Sequence, residues 1–195
     1  MAKLTCYGGA GSTTGANFLL EIEGKKVLID CGMQQGVGDA DVQNRKKFAY
    51  DPAVIDYLFI THAHIDHVGL IPKLFKEGFR GEIYSTPETK SIAELLLQDA
   101  AKIGREEEQM LYSMDDVIGS FSLWQTLKYH QPKNFFNFKL ELYDAGHVLG
   151  SALLKVTFAE GTTTLCSGDI GNSPSVLRPD VETAEGLDYL EVESV

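Results

Sequence analysis

One stretch constrains this chain more than any other: Ile60-Thr61-His62-Ala63-His64-Ile65-Asp66-His67-Val68-Gly69. It sets three histidines and an aspartate within six positions, directly behind an apolar run. Imidazole and carboxylate are the donors that borderline cations such as zinc prefer, and zinc is commonly four-coordinate. On an extended segment residues i and i+2 project to one side, so His62 and His64 can hold one ion. Asp66 and His67 then turn toward a second. The bland alternative is a solvated turn, and the crowding of ligand types within one short run speaks against it.

Of the five histidines, a fourth, His147, lies in Asp144-Ala145-Gly146-His147-Val148-Leu149-Gly150-Ser151. Alone it would read as a satisfied core histidine, but its Gly-flanked place between two predicted strands makes it a further candidate ligand. His130 has no such company and reads as an ordinary surface or core residue. Two aspartates close apolar strands, Asp30 in Val27-Leu28-Ile29-Asp30-Cys31-Gly32 and Asp169 in Leu165-Cys166-Ser167-Gly168-Asp169-Ile170-Gly171. Taken singly, each is more often a turn cap.

The surrounding pattern predicts an α/β fold. Short strands are expected over 3–7, 17–23, 26–30 and 57–60, with 31–47 a loop, then a short helix over 68–75 and a strand over 82–85. That strand–helix–strand unit is the mark of the class. Thr86-Pro87-Glu88 is a strong helix start, and the helix is expected to run to about Ile103 with Ile92, Leu95, Leu96, Ala100 and Ile103 as its buried stripe. Ser113 with Asp116 caps a second helix over 114–127 that carries Val117, Phe121 and Trp124. The acidic run 106–108 reads as a solvated helix end. Strands resume over 139–143, 151–158, 163–166 and 189–193.

Composition narrows the partners. Seventeen Lys+Arg against 28 Asp+Glu give a net charge of −11, the wrong sign for a surface that holds a polyanion unaided. The three cysteines are odd in number and form no C-x-x-C pair, so reduced thiols are expected. No apolar run approaches the ~20 residues of a membrane helix, and the N-terminus lacks a signal-peptide pattern. A cytoplasmic chain with no membrane partner is the expectation, and 195 residues suggest one domain.

His-x-His-x-Asp-His after a strand, preceded by a strand-end Asp and followed by Gly-His and Ser-Gly-Asp in that order, resembles the metallo-β-lactamase superfamily. The resemblance implies a four-layer αββα sandwich with two zinc ions at one edge of its sheets. It implies that His62, His64 and His147 hold the first zinc, that Asp66 and His67 hold the second, that Asp169 bridges both, and that Asp30 orients ligands from behind. Classical lactamases have a cysteine ligand where this chain has Asp169, which disfavours antibiotic hydrolysis. The Ala-Gly-His-Val-Leu-Gly-Ser-Ala form around His147, the helix entry at 85–90 and the tail Asp188-Tyr189-Leu190-Glu191-Val192-Glu193-Ser194 are similar to the β-CASP branch of RNA-processing nucleases. There Glu193 would be a site residue, an acid or an orienting carboxylate, and RNA the substrate class, cut at the phosphodiester by a hydroxide shared between the zincs.

The resemblance covers nearly all of residues 1–195, but only the N-terminal part of that family's sandwich. The family continues past this point into an inserted β-CASP domain and returns to bring a last histidine to the second zinc. The sandwich and the second site are therefore expected to be incomplete here, which leaves the activity of the chain open. Two other readings stand beside the nuclease: a non-catalytic module that binds metal, or a partner or second copy through an open sheet edge, and a metallo-hydrolase of small esters or thioesters.

Overall fold

The computed structural model describes residues 2–22, 24–36, 38–106 and 110–193. The expected end of the second strand at Glu23, positions 107 and 108 of the acidic run, and Ser194 of the tail motif lie outside the described residues.

Strands β1 (Lys3–Gly8), β2 (Asn17–Ile22) and β3 (Lys25–Ile29) form an antiparallel meander. From β3 the sheet continues in parallel through β4 (Tyr57–Phe59), β5 (Glu82–Ser85) and β6 (Trp124–Thr126), six strands in sequence order. Parallel neighbours need crossovers, supplied here by α1 (Ala40–Arg45), α2 (Ile65–Val68), α3 (Ile71–Lys76), α4 (Pro87–Glu106) and α5 (Met114–Phe121). The second sheet has the order β11-β10-β9-β8-β7, from β7 (Lys133–Asn134), β8 (Phe138–Asp144), β9 (Ala152–Phe158), β10 (Thr163–Cys166) and β11 (Tyr189–Glu191).

Two cores follow from the two faces of the first sheet. Leu28, Leu58, Ile60 and Ile83 pack outward under the helices with Ile71, Leu74, Phe79 and Leu97. Phe18, Leu20, Val27, Ile29 and Phe59 point inward and meet Phe138, Leu140, Leu142, Leu154 and Val156 of the second sheet. Among the described residues helices cover only the first sheet. The far face of the second sheet is shielded instead by an irregular segment, through Val181, Ala184 and Leu187 over Leu153 and Leu165. Three of the four expected layers of the sandwich are thus helices, sheet and sheet, and the fourth side is loop.

Several expectations are corrected. The buried face of α4 is Ala93, Leu97 and Ala101, whereas Leu95, Leu96 and Ile103 are 71, 39 and 47% exposed. The short helix expected over 68–75 is two helices, because Pro72 has no N–H to donate and its ring collides with the carbonyl four residues back unless it stands in a first turn. The chain obliges by restarting at Ile71. The second long helix ends at Phe121, and the remainder becomes β6, where Trp124 Nε1 donates to Ser85 Oγ at 2.8 Å. Helix α1 interrupts the expected loop 31–47.

Candidate metal centre

The site forms where the two sheets present their loop ends to each other. Thr61 to His64 follow β4, with His64 at the N-cap of α2. The turn is held close to the neighbouring loop: Cys31 N donates to the His67 carbonyl at 2.8 Å and Ala16 N to that of Asp66 at 2.9 Å. Gly32 is required there, since a Cβ at that position would lie 1.5 Å from the Asp66 carbonyl oxygen. Across the gap, Ser151 Oγ accepts from the amides of His147 and Val148 at 3.1 and 3.2 Å and shapes the His147 loop. Thr86 and Thr89 at the start of α4 donate to the Gly150 carbonyl at 2.7 and 2.9 Å, so one helix end anchors that loop.

Four ligand atoms converge. His62 Nε2 lies 3.0 Å from His64 Nδ1, which lies 3.2 Å from His147 Nε2. Asp169 Oδ2 is 3.3 Å from His147 Nε2 and 3.6 Å from His62 Nε2. Zinc bonds of about 2.0–2.1 Å arranged tetrahedrally put ligand atoms about 3.3 Å apart. The observed spacings bracket that value, so the donor set fits a four-coordinate cation in both chemistry and size. His62 is fully buried, while His64 and His147 are open to solvent at the mouth.

A second group stands behind the first. Asp30, itself fully buried and held at φ 54°, accepts from Thr61 N at 2.8 Å and Thr61 Oγ1 at 2.6 Å, and from His67 Nδ1 at 2.8 Å. His67 Nε2 then faces Asp169 Oδ1 at 3.7 Å and Glu193 Oε2 at 3.8 Å. Asp30, His67 and Glu193 form a second set able to hold a cation. Asp169 joins the two groups, and its Oδ1 is buried with no hydrogen-bond donor. An acceptor left so is costly unless a cation completes it.

Thr61 decides which nitrogens are free. Its single hydroxyl hydrogen goes to Asp30, so its oxygen accepts from His62 Nδ1–H at 3.1 Å, and the His62 lone pair is left on Nε2. Asp30 does the same for His67. Burial, with the neighbouring imidazoles His67, His64 and His147, pushes the His62 pKa far below its ordinary 6.5. Burial also pulls His67 down, but the charge and hydrogen bond of Asp30, with Glu193 and Asp66, lift it to about 9. Burial lowers His147 against the raising effect of Asp169. Burial and the charge of Asp30 raise Glu193 to about 8.

The structure thus brings His62, His64, His147 and Asp169 together, and Asp30, His67 and Glu193 beside them. The Asp66 carboxylate belongs to neither group; it is half-buried and near enough for its charge to act on His67. Cys166 is a free, buried core thiol. His130 lies at the surface with its Nε2 3.2 Å from Glu182. Thr61, Ser151, Thr86 and Thr89 escaped sequence reasoning, since isolated hydroxyls carry no spacing signal.

Residues 19–166 match the metallo-beta-lactamase superfamily domain. The chain belongs to that superfamily. Among curated proteins it is 38% identical over 178 residues to a ribonuclease of Thermus thermophilus, covering 91% of this chain and 40% of that protein. It is 36% identical to cleavage and polyadenylation specificity factor 73 of Drosophila melanogaster, over 83% of this chain and 24% of that protein. With an endoribonuclease of Candida glabrata it shares 30%, over 83% and 22%. These relatives are of the β-CASP, RNA-processing branch, and the chain spans less than half the length of each. Solved structures agree on the fold: a metallo-beta-lactamase of Cronobacter sakazakii superposes with a TM-score of 0.56 at 18% identity, covering 85% of this chain and 60% of that one. A metallo-beta-lactamase fold protein of Bacillus subtilis gives 0.51 at 17%, over 86% and 62%.

Proposed function

We propose that this domain hydrolyses phosphodiester bonds of RNA using two zinc ions. The observation that carries the reading is the convergence of His62, His64, His147 and Asp169 at tetrahedral spacings, in a chain whose relatives are named ribonuclease and endoribonuclease. Those four residues would hold the first ion. His67 Nε2 and Asp169 Oδ1 would hold the second, with Asp66 and Glu193 the further carboxylates whose charge His67 feels. Bound ions supply a Lewis acid for the phosphoryl oxygens and water that ionises near neutral pH.

The chain's own residues do the positioning. Asp30 and Thr61 fix the imidazoles of His67 and His62 with Nε2 forward, and the open edges of His64 and His147 mark where substrate enters. Glu193, whose Oε2 lies 3.8 Å from His67 Nε2, would be the carboxylate that takes or returns a proton. With 28 acidic residues against 17 basic, the protein surface does not draw a polyanion by itself. RNA binding is therefore expected to depend on the loaded site. The test is cleavage of a fluorescent single-stranded RNA by the zinc-loaded chain and its His64→Ala variant. The variant should lose cleavage and retain less zinc; metal-dependent cleavage that survives the substitution overturns the reading.

A second reading, a non-catalytic module docking through its sheet edge, is favoured by β11. Among the described residues that strand pairs with β10 alone, and it leaves Tyr189 and Leu190 67 and 58% exposed. RNA turnover with two bound ions would exclude it.

A further inference from the structure

A cavity of about 350 Å³ opens next to the metal centre, with Gly9, Gly11, Ser12 and Thr13 on one wall and Glu191 and Glu193 on the other. Its size falls in the range of about 300–1,000 Å³ that holds a small ligand. Glu193 makes it continuous with the centre, since its Oε2 is 3.8 Å from His67 Nε2.

The two walls have opposite hydrogen-bonding character. On the first, the amides of Gly9 to Thr13 donate to no other group among the described residues, and the Thr13 hydroxyl is equally unengaged. Gly9 and Gly11 hold φ of 76° and 79°, with Ala10 between them outside the positive region. Such alternation turns successive N–H groups toward one side and makes a concavity that suits an anion. The base of the loop is pinned: Gln35 N donates to Thr14 Oγ1 at 3.0 Å, and a Cβ at Gly15 would strike the Gln34 amide at 2.6 Å. A Cβ at Gly9 would strike the Phe18 ring at 2.7 Å. On the second wall stands Glu191, whose carboxylate receives no hydrogen bond among the described residues.

A ligand that suits both walls carries an anionic group and, a few ångströms away, a hydroxyl donor. A ribose-phosphate has both. We infer that this cavity seats the ribonucleotide adjoining the scissile phosphate, with the Gly9–Thr13 amides taking its phosphate oxygens and Glu191 accepting the hydrogen of its 2′-hydroxyl. The inference rests on the RNA reading above and deepens it: Glu191 becomes a residue that distinguishes RNA from DNA, because only RNA offers that hydroxyl.

The test is an amide NMR titration of the ¹⁵N-labelled, zinc-loaded chain with a phosphorothioate uridine dinucleotide and its 2′-deoxy counterpart. The Gly9, Gly11 and Thr13 amides should shift along with those of Thr61 and Ala63, and the deoxy probe should bind about 3- to 10-fold more weakly, the worth of one hydrogen bond. Glu191→Gln should narrow that ratio while leaving the spectrum of the free protein intact; Thr13→Val should weaken both probes alike. Shifts at Thr61 and Ala63 with an unmoved loop would overturn the inference and spare the nuclease reading. Silence at both places would remove the two together. An equal affinity for ribo and deoxy probes would strike out the role of Glu191.

Discussion

His62 and His67 stand five residues apart on one turn, are equally buried, and are pushed in opposite directions. Around His62 the neighbours are imidazoles, so burial and repulsion keep it neutral with a lone pair on Nε2. Around His67 the neighbours are carboxylates, and the pair with Asp30 keeps a proton on it. Depth in the protein is therefore not what prepares a ligand; the company is. The first group is set to accept a cation as it stands, whereas the second must surrender a proton to do so.

Asp169 is where that contrast breaks most completely, because its two oxygens serve the two groups separately. Asp169→Asn should lower RNA cleavage by about a thousandfold, worth ~4 kcal/mol, and reduce zinc binding at both groups in equilibrium dialysis. The metal-free variant should be no less stable in urea, since the substitution removes a charge from a buried oxygen that has no donor. Marked destabilisation without metal would show that Asp169 is structural.

Asp30→Asn comes next, at about 3 kcal/mol, because it takes the charge from a buried pair and leaves His67 in place. Its pH signature sharpens the comparison. His67 is raised above its unfolded 6.5, so its contribution is fully present below that pH and is lost as pH rises toward about 9. Glu193, raised from 4.5 to about 8, withdraws stability earlier, as pH rises from about 4.5 to about 8. His62 has the opposite sign: lowered, it costs stability below about pH 6.5 and nothing above. Urea midpoints of the metal-free chain should decline from about pH 6.5 toward pH 9, where His67 gives up its proton and His62 no longer contributes. Asp30→Asn should flatten the alkaline decline, and an unchanged slope would place the titration elsewhere.

Thr61→Val is the smallest expected effect, about 1 kcal/mol from the lost hydroxyl. Its diagnostic is the His62 tautomer, read from ring ¹⁵N shifts: without the Thr61 oxygen to accept from Nδ1–H, the Nε2–H form should become populated. A wild-type spectrum would mean that Thr61 does not set it.

The candidate ligands were legible because their spacing is local. His-x-His-x-Asp-His advertises itself within six residues, and alternation placed nearly every strand. What escaped depends on partners far along the chain. The outer face of α4 carries Leu95, Leu96 and Ile103 at helical spacing, so periodicity alone drew the buried stripe on the wrong side; the sheet selects smaller Ala93 and Ala101 flanking Leu97, which let the helix lie close. Strand β6 was hidden in an apparent helix because Trp124 suits either state until Ser85, 39 residues earlier, offers its hydroxyl to the indole. Asp66 has the spacing of a ligand, yet the turn spends its backbone carbonyl on Ala16 and leaves its side chain outside both groups. Thr61 was invisible because its importance lies in holding Asp30, 31 residues away.

Native mass spectrometry of the purified chain, before and after dialysis against a weak chelator, tests the central claim most directly. One zinc ion should survive dialysis in the wild type and be lost in His62→Ala, with a second ion held more weakly and released first. A wild-type chain that keeps no stoichiometric zinc, or a His62→Ala variant that keeps it unchanged, would contradict the account.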